Sequence, residues 1–193
     1  MATFNHKDFI NYDDYMTPRH VWEDIKDILN RHLEFTFGSR LYRIWEPFYG
    51  DGTSGKNLES IADPLAPYHV LHDPVDFFKV PTSDEYNKLG IGFKDSNQPT
   101  IVSNPPFSIK KKVFQRLKEH GLPFIIVCPV STMNTQYFRK LFKNEIKIIV
   151  PKKRIQFIKI DKEGNPIKTS GCNFDCYYYC WKIKGLKNDI TWL

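Results

Sequence analysis

Apolar positions change their period several times along the chain, and each change marks an element. Val21, Ile25, Ile28, Leu29 and Leu33 recur every three or four residues, the stripe of a helix running to about Glu34. Thr17-Pro18 precedes this stripe and predicts a helix start, with threonine as cap and proline at the first helical position. Residues 42–48 form a short, β-prone apolar run and predict a strand, with Pro47 near its end, where no ladder donor is needed. Gly50-Asp51-Gly52 predicts a turn and residues 53–61 a helix. Residues 68–71 predict a second strand, ending at His72-Asp73. Residues 74–99 are mixed, with one short helix expected at 84–88. Residues 100–103 predict a third strand, cut short by Asn104-Pro105-Pro106, and 109–120 a helix stopped by Gly121. A wholly apolar strand at 124–128, stopped by Pro129, precedes a helix at 134–142. The runs 146–150, 154–160 and 174–183 are β-prone, with a turn at 161–166 between the last two. Residues 1–16 carry no clear period and are expected to be extended.

Strands that alternate with helices imply βαβ units, hence an α/β fold with a mostly parallel sheet and helices on both faces. The β-rich C-terminal third predicts closure by an antiparallel strand. At 193 residues the chain is expected to be a single domain over 1–193, with 1–16 as an N-terminal extension. No run of 18 apolar residues is present, so no membrane partner is expected. The first 16 residues carry Asp8, Asp13 and Asp14 and no apolar run, unlike a secretory or transit peptide. The expected location is cytoplasmic or nuclear, or the host cytoplasm for a viral chain.

Lys+Arg 28 against Asp+Glu 22 leaves a net charge of +6, which permits a polyanionic partner without requiring one. The charge gathers at Lys110-Lys111-Lys112 and Lys152-Lys153-Arg154; a solvated face would explain such clusters equally well. Of the four cysteines, Cys172, Cys176 and Cys180 are spaced by four, with no CxxC pair. Together with Cys128 they are expected to be buried thiols, not metal ligands, and no metal is expected.

Two segments carry chemistry, both at predicted strand ends, where ligands bind in open α/β sheets. The first reads Glu46-Pro47-Phe48-Tyr49-Gly50-Asp51-Gly52-Thr53. Its glycines allow a tight turn and a close approach, and its acid suits a cationic or amino-bearing ligand better than a phosphate. It is neither the GxGxxG nor the GxxxxGK[ST] pattern, and on its own it is an ordinary strand-to-helix turn. The second reads Ser103-Asn104-Pro105-Pro106-Phe107. Paired prolines lock the backbone and remove donors. The Pro105 carbonyl and the Asn104 side-chain oxygen are then two acceptors beside the aromatic face of Phe107, a set suited to a planar aromatic amine. As an isolated segment it also reads as a loop with a Pro-Pro stop and a core phenylalanine.

Together, EPFYGDG and NPPF resemble the class I S-adenosylmethionine-dependent N6-adenine methyltransferases, in particular the small phage and viral DNA adenine enzymes. The resemblance spans about residues 12–183 and is strong at the two motifs and weak after 150. It implies a Rossmann-like methyltransferase sheet with S-adenosyl-L-methionine as cofactor. Tyr15-Met16-Thr17-Pro18 resembles the family's N-terminal motif at the cofactor's methionine end, which implicates Tyr15, Thr17 and Pro18. Glu46, Pro47, Phe48, Gly50 and Gly52 would form the cofactor turn. Asp73 or Asp76 would take the ribose, with Phe77 beside the adenine; spacing does not decide between the two acids. Asn104, Pro105, Pro106 and Phe107 would be the catalytic loop. Lys110, Lys111 and Lys112, and more weakly Lys152, Lys153 and Arg154, would meet phosphates.

The implied activity is methyl transfer to the N6 amino group of adenine in nucleic acid, with DNA favoured over RNA. The alternatives are RNA adenine or guanine-N2 methylation, glutamine methylation of protein, or a non-catalytic nucleic-acid-binding subunit; both motifs being intact argues against the last. In related enzymes a target-recognition domain often follows, whereas only about 40 residues follow Val150 here and they complete the sheet. Target choice is therefore expected to be relaxed, or to depend on a homodimer or a partner subunit.

Overall fold

The computed structural model describes residues 15–37, 42–63, 67–82, 98–160, 166–167 and 174–193. The expected helix at 84–88, the extension before Tyr15 and Cys172 lie outside them, as does nearly all of the turn expected at 161–166. In chain order the elements are β1 (Tyr15–Met16), α1 (Arg19–Glu23), α2 (Lys26–Phe37), β2 (Tyr42–Trp45), α3 (Thr53–Ser60), β3 (Tyr68–Leu71) and β4 (Thr100–Ser103). There follow α4 (Lys110–His120), β5 (Phe124–Pro129), α5 (Gln136–Phe142), β6 (Ile146–Val150), β7 (Ile158–Ile160), β8 (Pro166–Ile167), β9 (Cys176–Trp181) and β10 (Ile190–Trp192).

Seven of the described strands form one sheet in the order β10-β6-β9-β5-β4-β2-β3. Every neighbouring pair is parallel except where β9 lies antiparallel between β5 and β6. The sheet is thus mostly parallel with one antiparallel C-terminal strand, an α/β architecture compatible with a Rossmann-like fold. A small second sheet, β1-β7-β8, ties the N-terminal strand to the segment after β6.

Strand periodicity divides the apolar residues between two cores. On β5, Ile125 and Val127 join Val21, Trp22, Leu29, Leu33 and Leu58 of α1–α3. The alternate residues Phe124, Ile126 and Cys128 join Val113, Phe114 and Leu117 of α4 and Phe138 and Phe142 of α5. Cys176 and Cys180 lie on the same face of β9 as Tyr178, buried as expected from their alternation. The Tyr178 hydroxyl crosses that core to donate to the Val21 carbonyl at 2.8 Å.

The helical stripe beginning at Val21 is two helices, not one. Ile25 N–H bonds Trp22 O at 3.3 Å, a tighter i−3 closure that breaks the helix at residues 24–25 while the Trp22 and Ile25 side chains stay wholly buried. Thr17 does not cap: Pro18 is the N-cap, without a side-chain bond, and Arg19 is the first helical residue. The strand expected at 42–48 stops at Trp45, because Glu46 turns inward, and only 158–160 of the run 154–160 pairs as strand. Gly121 ends α4 with φ 71°, as its position in the sequence predicts.

His32 stitches α2 to the sheet. The Lys184 amide donates to its Nδ1 at 2.9 Å, so Nε2 carries the proton and donates to Thr100 Oγ1 at 2.9 Å. Burial, with Lys184 nearby, lowers the imidazole to about 4. The unfolded chain binds the proton more readily, so this contribution is whole above pH 6.5 and is lost as pH falls from 6.5 towards 4. Urea unfolding across that window should show a loss on the order of 3 kcal/mol from this group, and His32→Gln should flatten the dependence.

Candidate active site

The chain leaves β2 for β3 on one side and re-enters the sheet at β4 on the other, so the carboxyl ends of β2 and β4 flank a topological switch point. Glu46 fills it. Its side chain is 1% exposed. Oε1 accepts from Ser103 Oγ and, at 3.1 Å, from Phe48 N; Oε2 accepts from Ser54 Oγ at 2.9 Å. One carboxyl group thus joins the end of β2, the first turn of α3 and the end of β4, through neutral donors alone. Burial pushes it up to about 8, with the three hydrogen bonds pulling the other way.

After Glu46 and the buried Pro47, Gly52 N–H closes a turn on Tyr49 O at 2.8 Å. Gly50 at φ 56° and Gly52 at φ 83° both sit in the left-handed region, which explains the residue type at each. Asp51 accepts from Thr53 N at 2.8 Å and from Thr53 Oγ1 at 2.7 Å, so it satisfies the first N–H of α3, whose N-cap is Gly52. Tyr49 stacks on His72 with centroids 4.8 Å apart. His72 Nδ1 lies 3.0 Å from the Glu46 carbonyl, which can only accept, so Nδ1 carries the proton. A side chain at Gly55 would place Cβ 2.2 Å from His72 Cδ2; glycine is what admits the ring.

The N-terminal motif comes to this turn. A Cβ on Gly50 would lie 4.0 Å from Met16 Cε, and the Thr17 carbonyl accepts from Asn57 Nδ2 of α3 at 3.2 Å. Pro18 follows as the cap of α1. The two candidate acids are distinguished by their partners. Asp76 accepts from Phe78 N at 3.0 Å and lies 3.5 Å from Lys79 Nζ. Asp73 is exposed, and its carboxylate has no such partner among the described residues. Phe77 is only 3% exposed, enclosed by Trp45, Phe48, Phe78 and His120. It backs the turn from within the core, and is not an open wall beside a ligand.

On the β4 side, Asn104 Oδ1 is closed off from solvent with no hydrogen-bond partner among the described residues. Pro105 is buried, and Pro106 (φ −57°, ψ 123°) leads into a 3-10 turn at Phe107–Ile109. Phe107 meets Phe157 and Phe174 edge-on, at 6.0 and 5.5 Å between centroids. Tyr15 packs on the same two rings at 6.2 and 5.6 Å. The sequence reading did not single out Phe157 and Phe174. Both flank the turn expected at 161–166, and pairing the two β-prone runs as a hairpin would have set them together.

Of the basic residues, Lys110 reaches the Phe107 carbonyl at 3.4 Å, and Lys111 and Lys112 are exposed at the start of α4. Lys152 and Lys153 are exposed beyond the end of β6. Arg154 departs from expectation. It grips Asp175 with two bonds, 2.5 and 3.1 Å, which hold the Asp175 carboxyl below its usual range. Its guanidinium is paired with a carboxylate at the surface, so a phosphate would compete with Asp175 for it. Among the described residues no group of three His, Cys, Asp or Glu side chains is arranged to hold a metal ion.

Compared with protein families and with curated proteins, the chain matches no family model and no curated sequence.

The fit between Gly55 and His72 is directly testable. Gly55→Ala should cost about 1–3 kcal/mol in denaturant unfolding through overpacking. Gly55→Ala with His72→Ala should cost less than the sum of the two single changes, since the second removes the obstacle the first meets.

Proposed function

We propose that the chain is an S-adenosylmethionine-dependent methyltransferase of the class I type, acting on the N6 amino group of adenine in nucleic acid, with DNA the favoured polymer. The observation that carries this reading is Asn104 Oδ1. A buried acceptor left without a donor costs about 1–3 kcal/mol. A fold that leaves one at the end of an interior strand, next in sequence to Ser103, whose hydroxyl bonds the Glu46 carboxyl ahead of the glycine turn, has the form of a site awaiting an N–H donor.

The surroundings fit the cofactor. The glycine turn offers backbone without side chains, Asp73 offers a carboxylate with no side-chain partner among the described residues for ribose hydroxyls, and Glu46 offers a buried carboxyl group that meets no cation among them. Tyr15, Thr17 and Pro18 lie where the methionine end would be held, and Phe48 and Phe77 back the turn. When bound, the cofactor supplies an activated methyl group on a sulfonium.

The chain's own residues do the rest. Asn104 Oδ1 accepts one N–H of the target amine and the Pro105 carbonyl accepts the other. This draws the nitrogen lone pair out of conjugation and aims it. Pro106 fixes the loop. Orientation of this kind supplies on the order of 7–11 kcal/mol without a strong base. Phe107, backed by Phe157, Phe174 and Tyr15, offers aromatic surface to a base withdrawn from its stack, worth about 1–3 kcal/mol per stacked base. Lys110, Lys111 and Lys112 occupy the first turn of α4, where cations oppose the helix dipole. Phosphates at that end would reverse the penalty. Lys152 and Lys153 extend the basic rim.

The test is methyl transfer from S-adenosylmethionine to single-stranded DNA, duplex DNA and RNA in separate reactions, digested to nucleosides and read by mass spectrometry. N6-methyldeoxyadenosine is the expected product. N6-methyladenosine from RNA alone would reassign the polymer, and no methylated base from any of the three would refute the reading. Asn104→Ala should lower transfer by at least about a hundredfold while leaving the cofactor Kd within about threefold. Gly50→Val should weaken cofactor binding itself, because a β-branched residue does not tolerate the left-handed conformation at position 50.

A further inference from the structure

Glu46 is a carboxyl group almost wholly removed from water, and every donor to it is neutral: Ser103 Oγ, Ser54 Oγ and Phe48 N. The charged and titratable groups of the elements around it are otherwise engaged or exposed. Asp51 is held by Thr53, and His72 donates to the backbone carbonyl of Glu46, not to its carboxylate. Asp76 is turned to Phe78 and Lys79, and Lys110 to the Phe107 carbonyl. Lys56 and Asp73 are exposed. Among the described residues no lysine, arginine or histidine forms an ion pair with Glu46. A carboxyl group so placed keeps its proton until a positive charge arrives.

We propose that Glu46 is a specificity-determining residue, which releases its proton when a sulfonium enters the crevice between β2 and β4 and so favours the charged cofactor over its neutral thioether product. The inference rests on the cofactor assignment above. With the sulfonium present, the ionised carboxylate gains a counter-charge and the proton goes to solvent. Once the methyl group has left, the product is an uncharged thioether. Glu46 takes up a proton again, and the electrostatic preference for the bound molecule is gone. The same carboxyl therefore tightens binding before transfer and relaxes it afterwards. Its elevated affinity for a proton agrees with this, since burial holds it near 8.

The sign of the pH dependence follows. At low pH Glu46 is protonated with either ligand, and the preference is smallest. As pH rises, the sulfonium complex ionises first, and the preference grows until the thioether complex ionises as well, after which it is constant. Each pKa unit separating the two complexes is tenfold in relative affinity.

Calorimetric titration of the wild-type chain with S-adenosylmethionine and with S-adenosylhomocysteine, in buffers of low and high ionisation enthalpy at pH 7, counts the protons. The two ligands share their amino-acid end, so its titration cancels in the comparison. Proton release with the sulfonium only is expected, together with a Kd ratio that grows about tenfold or more from pH 6 to pH 9. Glu46→Gln should bind both with a ratio independent of pH. Equal proton counts and a flat ratio in the wild-type protein would overturn the inference while leaving the cofactor assignment standing. Binding of neither ligand at any pH would overturn both. The wild-type measurement decides even if Glu46→Gln does not fold.

Discussion

The carboxyl ends of the neighbouring strands β2 and β4 are held together by one buried carboxyl group. Ser103 at the end of β4 and Ser54 in α3 are bonded to the Glu46 side chain, and Asn104 follows Ser103 directly. Burying a carboxyl group with no cation beside it is costly, and hydrophobic residues would fill the space more favourably. Its cost is matched by what it positions. The glycine turn, the start of α3 and the Asn-Pro-Pro loop are placed relative to one another by hydrogen bonds of fixed direction, which apolar packing would not supply.

His72 adds a second constraint to the same turn. Its ring fills the space left by the missing side chain of Gly55, lies flat on Tyr49 and bonds the Glu46 carbonyl. Glycines 50, 52 and 55 therefore do two different jobs. The first two permit a backbone conformation, and the third admits a neighbour. Only the first kind is suggested by a glycine-rich turn in sequence; the second depends on a residue 17 positions further on, at the end of a different strand.

The centre of the sheet was legible because β4 and β5 are buried on both faces. β5 is apolar at every position from Phe124 to Cys128, and β3, β4 and β6 match the predicted runs residue for residue. What escaped were features decided by tertiary contact. The break at residues 24–25 interrupts an unbroken helical stripe, so periodicity could not reveal it. β10 is a three-residue strand in which Ile190 and Trp192 remain exposed, and so has no burial signal to read. The two acids after β3 were not separable by spacing, and only the bonds of Asp76 to Phe78 and Lys79 set them apart. Phe157 and Phe174 were read as strand residues, yet their rings meet Phe107 across the site. Arg154 looked like one cation among three until Asp175, distant in sequence, claimed it.

The ion pair of Arg154 and Asp175 changes how the basic rim is to be understood. Charge in this chain divides into groups that build the fold and groups left over. Arg154 joins the segment after β6 to the start of β9, Lys147 donates to the Leu186 carbonyl, and Lys118 bonds Glu145 and lies over the Trp181 ring. These cations lock strands and loops together and add little to an external field. The lysines at 111, 112, 152 and 153 are exposed instead, after the carboxyl ends of β4 and β6. A net charge of +6 is modest, but these four exposed lysines lie on the same edge of the sheet as Asn104. A polyanion drawn to that edge would meet no separate recognition module in the described residues. A rim of lysines holds a phosphate backbone without distinguishing its bases.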